Sequence, residues 1–265
     1  MTVDWNKRLL TLADGTCINT LHGKQADGEG RPTLVLLHEA LGCLDMWKQF
    51  PQHLAEQTGC NVFLYERRGY GDSSAITLPR PDDYLEQEGR DWLGEVLDAA
   101  GLDQVVLIGH SDGGSVALVG AAVLPQRVVG LVTMAAHIYV DHLTSAGISE
   151  AVLRYRSTDL PQRLARYHGD RTDLIFRAWH ETWERPSFRA GLDLTAWLSQ
   201  ISCPALVIQG AQDQYGVKEQ VEDICAGIGV HAQPLFIPDC GHVPHLEAEA
   251  ATLAAISSFL NQQLA

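Results

Sequence analysis

The sequence predicts an α/β fold in which a mostly parallel sheet is flanked by helices on both faces. Two observations support this: short apolar runs rich in Val, Ile and Leu, as buried parallel strands are, and helical patterns that separate those runs. The predicted strands are residues 33–37, 61–65, 104–108, 128–134, 205–209 and 234–237. The predicted helices are residues 45–57, 82–100, 113–124, 217–226 and 245–263.

A β-hairpin precedes this alternation, and a helical segment interrupts it. Residues 7–20 contain a turn signal at Asp14-Gly15 between two mixed apolar runs, which predicts the hairpin. Residues 137–200 contain no convincing strand but three or four short helical patterns. We therefore predict one domain, with an α/β core at residues 1–136 and 201–265 and a small helical cap inserted at residues 137–200, after strand 6.

The charge balance limits the kinds of partner. The chain has 19 Lys and Arg against 33 Asp and Glu, a formal net charge of −14. Negative charge disfavours nucleic acid and anionic membrane, and it favours neutral or cationic small molecules. The first residues lack the apolar core of a signal peptide, and no apolar run approaches the ~18 residues of a membrane span. We expect a cytoplasmic monomer or homodimer that takes a small-molecule substrate and binds neither nucleic acid nor membrane.

The six cysteines are scattered along the chain, with no spacing typical of a zinc site. The pair His242 and His245 could contribute to a metal site, but no third ligand is placed near them. We therefore expect reduced thiols packed as small apolar side chains, and neither a metal nor another cofactor.

A serine lies between small residues where a predicted strand meets a predicted helix. The stretch IGHSDGGS (residues 108–115) contains the pattern G-x-S-x-G around Ser111. A chain reversal this tight strains the backbone of the serine and leaves its hydroxyl exposed beside a helix N-terminus. A phosphate-binding loop is the alternative, but the Lys of a Walker loop is absent. We predict that Ser111 is a nucleophile.

A serine hydroxyl needs a base within hydrogen-bond reach, and the base needs a third group that orients it. The carboxyl ends of parallel strands meet at one edge of the sheet, where ligands bind. Asp213 follows the strand at 205–209, and His242 follows the strand at 234–237. We predict the triad Ser111, Asp213 and His242, in the chain order of one hydrolase class.

Each partner of Ser111 has a competitor. Asp239 also follows the strand at 234–237, but it lies too near His242 in sequence to be the usual orienting acid. His245 begins the last predicted helix, whereas His242 follows the flexible Gly241 in a loop. We therefore prefer Asp213 and His242.

The strand at 33–37 is followed by HEALG (residues 38–42). Acyl transfer develops negative charge on the former carbonyl oxygen, and preorganised N–H donors there are worth several kcal/mol. We predict an oxyanion hole with one donor at the amide of Asp112 and the second at the amide of Glu39 or Ala40.

Together these motifs resemble the α/β-hydrolase superfamily over nearly the whole chain. The matching stretches are HEALG (38–42), ERRGYGDSS (66–74), GHSDGG (109–114), GAQD (210–213) and GHVPHLE (241–247). The second corresponds to the family's D-x-R-G-x-G-x-S loop, with Glu66 in place of its Asp. The resemblance implies an eight-stranded sheet with a helical cap. It also implies a serine hydrolase that cleaves a small to medium carboxylic ester, lactone or thioester through an acyl-enzyme.

One position departs from the family pattern. Most relatives have Gly after the His of the oxyanion loop, where this chain has Glu39. Because a carboxylate aimed at the oxyanion would oppose its charge, we expect the Glu39 side chain to turn away, toward Arg67 or Arg68. The alternative is that Glu39 acts as an extra acid or holds a water.

Asp112 is also uncommon at its position. The run Ser-Asp-Gly-Gly resembles the biphenyl hydrolase-like amino-ester hydrolases, which implies that the Asp112 carboxylate receives a substrate amine. The alternative is that Asp112 caps the following helix, where Asp is favoured.

The predicted cap is rich in aromatic residues. Most of them should form the cap's own core, because a helical cap must bury one face. Trp179 and Trp183 of the cap are also candidate substrate contacts. His137 and Tyr139 follow the strand at 128–134, and Trp47 lies near the oxyanion loop, so these three are further candidates.

Two other functions stay open. A carbon–carbon hydrolase of ring-cleavage products is one, although such relatives usually have Asn or Gly before the serine, where this chain has His110. A non-catalytic ligand receptor on the same fold is the other.

Overall fold

The computed structural model of the chain describes residues 3–26, 28 and 30–263, so residues 1, 2, 27, 29, 264 and 265 of the predicted core lie outside it. Within the described residues the chain forms eight strands: β1 (Asp4–Thr11), β2 (Cys17–Lys24), β3 (Thr33–Leu37), β4 (Val62–Tyr65), β5 (Val105–His110), β6 (Val128–Met134), β7 (Ala205–Gly210) and β8 (Ala232–Ile237). The helices are α1 (Phe50–Thr58), α2 (Tyr84–Gln87), α3 (Leu93–Ala100), α4 (Asp112–Val123), α5 (His142–Ser157), α6 (Leu160–His168), α7 (Thr172–Trp183), α8 (Pro186–Gly191), α9 (Thr195–Leu198), α10 (Glu219–Ile228), α11 (Pro244–Glu247) and α12 (Glu249–Gln263).

The strands form one sheet in the order β1-β2-β4-β3-β5-β6-β7-β8. The pairs β1–β2 and β2–β4 are antiparallel, and every later pair is parallel. The hairpin is longer than the sequence pattern indicates, since it covers residues 4–24. Pro234 is tolerated in β8 because that strand lies at the edge of the sheet. The predicted fold class, an α/β sheet that is mostly parallel and flanked by helices, is confirmed.

The apolar runs are buried on both faces, as the sequence predicts. In β3, Leu34 and Leu36 pack on one side of the sheet, and Val35 and Leu37 pack on the other. Successive side chains of a strand point to opposite faces, so a continuous apolar run supplies two cores at once. These cores hold the carboxyl ends of β3, β5, β6, β7 and β8 at one edge.

Helix α4 lies deepest, and every residue from Asp112 to Ala122 is buried. Its small residues allow this close packing: a Cβ at Gly120 would lie 2.4 Å from Leu93 Cδ2. The helix therefore brings its N-terminus up to the end of β5 with almost no freedom.

Between β6 and β7 the described chain forms helices α5 to α9 and no strand. The helices α5, α6 and α7 contact one another, and residues of α5, α6 and α7 face the carboxyl edge of the sheet. The division of the chain into a core and a cap at residues 137 and 200 stays a prediction. Among the described residues, no helix has the length and apolarity needed to cross a membrane.

Candidate active site

Ser111 connects β5 to α4 in a conformation that side chains rarely adopt, with φ 52° and ψ −122°. A non-glycine residue held there stores about 1–3 kcal/mol of strain. The turn depends on its glycines: a Cβ at Gly109 would lie 2.1 Å from the carbonyl oxygen of Gly113, and a Cβ at Gly113 would lie 2.0 Å from that of Leu37. The local sequence therefore accounts for the tight turn on which the serine is presented.

The three residues predicted as a triad lie together. The Ser111 Oγ is 3.0 Å from His242 Nε2, and His242 Nδ1 is 2.9 and 3.0 Å from the two carboxylate oxygens of Asp213. A nitrogen that faces a carboxylate must carry a hydrogen, so Nδ1 donates and Nε2 is left to accept the serine proton. The Tyr215 amide donates to Asp213 at 2.8 Å and fixes the carboxylate.

The environment favours the neutral form of the imidazole. Burial lowers the pKa of His242 below its ordinary value, and the Asp213 carboxylate offsets this only in part. Burial raises the pKa of Asp213, but the charge and the hydrogen bond of His242 outweigh it and hold that pKa below its ordinary value. At neutral pH the site therefore contains an ionised carboxylate and a neutral base.

The two competitors lie elsewhere. Asp239 is exposed and accepts a hydrogen bond from Gln212 at 3.2 Å. His245 is buried against Trp47, with ring centroids 4.6 Å apart. The assignment of Asp213 and His242 as the partners of Ser111 stays a prediction.

The side chain of Arg67, which is wholly buried, binds the loop after β3. Its Nη2 donates to the carbonyl oxygens of His38 and Glu39, each at 3.0 Å. In a planar trans peptide the N–H points opposite to the preceding C=O, so the amides of Glu39 and Ala40 point away from Arg67.

Three amides beside Ser111 are free to bind a ligand. Among the described residues, the amides of Glu39, Ala40 and Asp112 donate to no hydrogen-bond acceptor, and all three residues line the same cavity. The site thus contains a hydroxyl, a neutral base next to it and preorganised N–H donors. Nucleophilic attack on a carbonyl group requires this combination.

The expected arginine partner of the Glu39 side chain is wrong. Its Oε2 lies 3.4 Å from His110 Nδ1, and neither Arg67 nor Arg68 binds the carboxylate. Arg67 is occupied by backbone carbonyls, and Arg68 pairs with Asp14 at 3.0 Å. The histidine in front of the serine, not an arginine, is the partner that sequence reasoning missed.

The Asp112 side chain is almost fully buried, at 2% exposure. Its Oδ2 accepts a hydrogen bond from the Tyr84 hydroxyl and lies 3.8 Å from Arg67 Nη1. Trp183 Nε1 in turn donates to the Tyr84 oxygen at 2.9 Å. Within the described chain no backbone amide donates to this carboxylate, so the helix-cap alternative is wrong. The carboxylate already has a cationic neighbour before any substrate amine arrives.

A cavity of about 340 Å³ opens over Ser111. Of the predicted contacts, His137, Trp179, Trp183 and Asp112 line it. Lining residues that the sequence reasoning did not single out are Leu41, Met46, Thr144, Ile148, Leu160, Leu164, Gln214, Tyr215 and Val243. Four of them had an available signal, because they lie within two positions of a predicted triad or oxyanion-hole residue: Leu41, Gln214, Tyr215 and Val243.

Two predicted contacts lie away from the cavity, and their assignment is corrected. Trp47 is buried at 2% exposure between Phe50 and His245, in the core on the α1 side of the sheet. The Tyr139 hydroxyl donates to Asp223 at 2.7 Å, which turns it toward α10. Nearness in sequence to a strand end did not determine which way these rings point.

A strained serine on a strand–helix turn, with an acid and a histidine after later strands of such a sheet, defines the α/β-hydrolase class. The family model described as alpha/beta hydrolase fold matches residues 32–191, and the chain belongs to this family.

Known proteins of several activities are similar to the chain. Serine hydrolase BPHL of Homo sapiens is 29% identical over 73% of this chain and 67% of its own length. An sn-1-specific diacylglycerol lipase of Mus musculus is 27% identical over 88% of this chain and 83% of its own. The solved structure of a membrane phospholipase A described as a bacterial virulence factor has a TM-score of 0.79 and 21% identity over 97% of this chain and 86% of that one, which shows the fold alone. Membership of the family therefore shows that the protein is a hydrolase of this fold. The bond that it cleaves has to be inferred from the site.

Proposed function

We propose that the protein is a serine hydrolase that cleaves a small to medium carboxylic ester through an acyl-enzyme on Ser111. The hydrogen bond of 3.0 Å between Ser111 Oγ and His242 Nε2 carries this proposal. That contact joins a nucleophile to a base whose other nitrogen already donates to Asp213. Lactones and thioesters react by the same steps and belong to the same proposal.

The proposed reaction has two halves. His242 Nε2 takes the Ser111 proton while Oγ bonds to the substrate carbonyl carbon, and the carbonyl oxygen becomes an oxyanion held by the amides of Asp112 and of Ala40 or Glu39. The oxyanion collapses, the alkoxide leaves with the proton from His242, and an acyl-enzyme remains. Water then gives its proton to His242, adds to the acyl carbon and releases the acid as Ser111 recovers its proton.

The cavity supports the substrate class. Leu41, Met46, Ile148, Leu160 and Leu164 give it an apolar wall, and Trp179 and Trp183 add flat aromatic surface. A volume of about 340 Å³ suits a small to medium acyl or aryl group better than a long lipid chain. We assign substrate contact to these two tryptophans and to His137.

The charge of the wall argues against an anionic substrate. The described residues that line the cavity include the acids Glu39 and Asp112 and neither Lys nor Arg, and the His110 ring among them already faces Glu39. A carbon–carbon hydrolase that acts on a dicarboxylate would need a cation to meet the second carboxylate. One relative, from Klebsiella pneumoniae, is named as a hydrolase of 2-hydroxy-6-oxononadienedioate. We therefore favour a neutral or cationic ester.

Pre-steady-state hydrolysis of p-nitrophenyl acetate tests the proposal. The wild type should release a burst of nitrophenolate close to one equivalent per site, followed by slower turnover. The variant Ser111→Ala should show no burst and should lose labelling by a fluorophosphonate probe. A wild type that neither cleaves a panel of short esters and lactones nor reacts with the probe would refute it, and cleavage of a vinylogous diketone alone would favour the carbon–carbon alternative.

A further inference from the structure

His110, the residue before the serine, faces two acceptors with its two ring nitrogens. Nε2 lies 2.8 Å from the backbone carbonyl oxygen of His242. Nδ1 lies 3.4 Å from Glu39 Oε2. The ring is 1% exposed, so its two nitrogens are almost completely shielded from solvent.

The hydrogens on this ring follow from its neighbours. A carbonyl oxygen only accepts, so Nε2 carries a hydrogen. If Nδ1 carried none, its lone pair would face the carboxylate lone pairs in a buried place, which is unfavourable. Burial raises the pKa of Glu39, but the hydrogen bond and the charge of His110 outweigh it and hold that pKa well below its ordinary value. The two acceptors therefore place a hydrogen on both ring nitrogens, which makes the ring an imidazolium beside an ionised Glu39.

The other ionisable groups nearby cannot take this proton. His245 faces the His110 ring with centroids 4.8 Å apart, and burial, followed by the charge of His110, lowers its pKa to about 3. His38 donates from Nδ1 to the Glu39 carbonyl at 2.7 Å and accepts at Nε2 from the Arg67 amide at 3.0 Å, which makes it neutral. His242 faces the ring with centroids 5.3 Å apart, and its own pKa is lowered.

The position of the carboxylate is set by the oxyanion loop itself. A Cβ at Gly42 would lie 2.6 Å from Glu39 Oε2, so the carboxylate packs directly over that glycine. The side chain keeps 21% of its surface exposed, which faces the cavity that Glu39 lines. The motif HEALG (38–42) therefore supplies both the carboxylate, at Glu39, and the room for it, at Gly42.

We propose that Glu39 and His110 form a permanent carboxylate–imidazolium pair that acts as a positioning pair behind His242. The pair holds the backbone of the base by the bond from Nε2 to its carbonyl. It also places a positive charge 5.3 Å from the His242 ring, between centroids, which disfavours a second imidazolium there and keeps the base neutral. This role rests on the proposed function, because it assigns the pair to a reaction in which His242 is the base.

The variant Glu39→Gln separates charge from shape. Its carboxamide NH2 can donate to Nδ1 of a neutral His110, so both hydrogen bonds of the ring survive while both charges disappear. We expect the acid limb of the kcat/KM profile against pH to move up by about half a unit to one unit, because the base loses its cationic neighbour. An unmoved limb would overturn the role in holding His242 neutral.

The matched control is Glu249→Gln. Glu249 forms a similar pair with His53 at 2.8 Å, but the His53 and Glu249 side chains are 44% and 35% exposed and lie outside the cavity lining. This variant should leave the acid limb where it is. An equal shift in both variants would mean that overall charge, not the buried pair, moves the limb, and would overturn the proposal.

Nitrogen NMR of the histidine rings tests the pair without any substrate. The His110 resonances, assigned by their loss in His110→Gln, should be those of an imidazolium in the wild type at pH 7. They should become those of a neutral ring in Glu39→Gln. A neutral His110 in the wild type at pH 7 would overturn the pair even if esters are cleaved. If no ester is cleaved, the proposed function fails while this measurement still decides the pair.

Discussion

Two histidine–carboxylate pairs lie beside Ser111, and their carboxylates come from opposite sides of β5: Glu39 follows β3 and Asp213 follows β7. In the pair Asp213–His242, one ring nitrogen faces a carboxylate and the other faces a hydroxyl that can give up its proton. In the pair Glu39–His110, both nitrogens face groups that only accept. A carboxylate and an imidazole thus form a neutral base in one place and, in our proposal, an imidazolium in the other. The number of obligate acceptors around an imidazole, more than its distance from a carboxylate, decides which it becomes.

The largest expected effect comes from Asp213→Asn. The carboxamide would donate to Nδ1 and leave its hydrogen on Nε2, where it would face Ser111 Oγ and block acceptance of the serine proton. We expect kcat to fall by about 10⁴ with little change in KM. Steady-state kinetics on a p-nitrophenyl ester measure this. If kcat falls no further in Asp213→Asn than in Glu39→Gln, the two pairs do not have the different roles proposed for them, catalytic base and positioning charge.

A third buried carboxylate, Asp112, has no histidine partner. It lies near the Arg67 guanidinium and accepts a hydrogen bond from the Tyr84 hydroxyl. In Asp112→Asn the buried arginine loses its nearest charge partner. We expect a loss of about 1–3 kcal/mol in the free energy of unfolding, measured by urea denaturation.

The same variant tests amine recognition. Since Arg67 already faces the carboxylate, we expect the ratio of kcat/KM for an amino-acid ester to that for its deaminated analogue to be similar in wild type and Asp112→Asn. A strong wild-type preference for the amino ester that disappears in the variant would restore Asp112 as an amine receptor.

The pH dependence of kcat/KM reports on the pair Asp213–His242. The neutral form of His242 is the active one, and its pKa lies below the ordinary value, so activity is lost only as the pH falls through that lowered pKa. We expect the acid limb of kcat/KM to lie below about pH 6.5, the ordinary value for imidazole. A limb above pH 7 would contradict a base kept neutral by burial and by the neighbouring cation.

The smallest effect belongs to the exposed pair His53–Glu249. In Glu249→Gln we expect unchanged kcat/KM and a loss of stability below about 1 kcal/mol, because water screens exposed ion pairs. Parallel urea titrations of this variant and the wild type provide the measurement. A loss as large as that in Asp112→Asn would show that burial is not what separates these pairs.

Much of the fold could be predicted from the sequence, because its signals are local. The runs in β3, β5 and β7 are mostly apolar, and their burial on both faces follows from that pattern. The ends of the helices and strands were harder to predict. The last predicted helix divides at Ala248 into α11 and α12, and the hairpin extends four residues past its predicted end.

The candidate site was predictable where residues follow strand ends. Ser111, Asp213 and His242 meet because the carboxyl ends of parallel strands share one edge. Side-chain directions were not predictable in this way. Trp47 and Tyr139 lie near the correct strand ends, yet one ring packs under the sheet and the other hydroxyl binds Asp223.

By itself the sequence determined which chemical groups are present and at which edge of the sheet they gather, because apolar periodicity and motif spacing act over a few neighbouring residues. It also determined the strained turn at Ser111, since only glycines fit beside it. Only the tertiary structure decided which atom faces which. The partners of His110 lie 71 and 132 positions away along the chain, and no local pattern specifies that a carboxylate and a carbonyl oxygen will meet the two nitrogens of one buried ring.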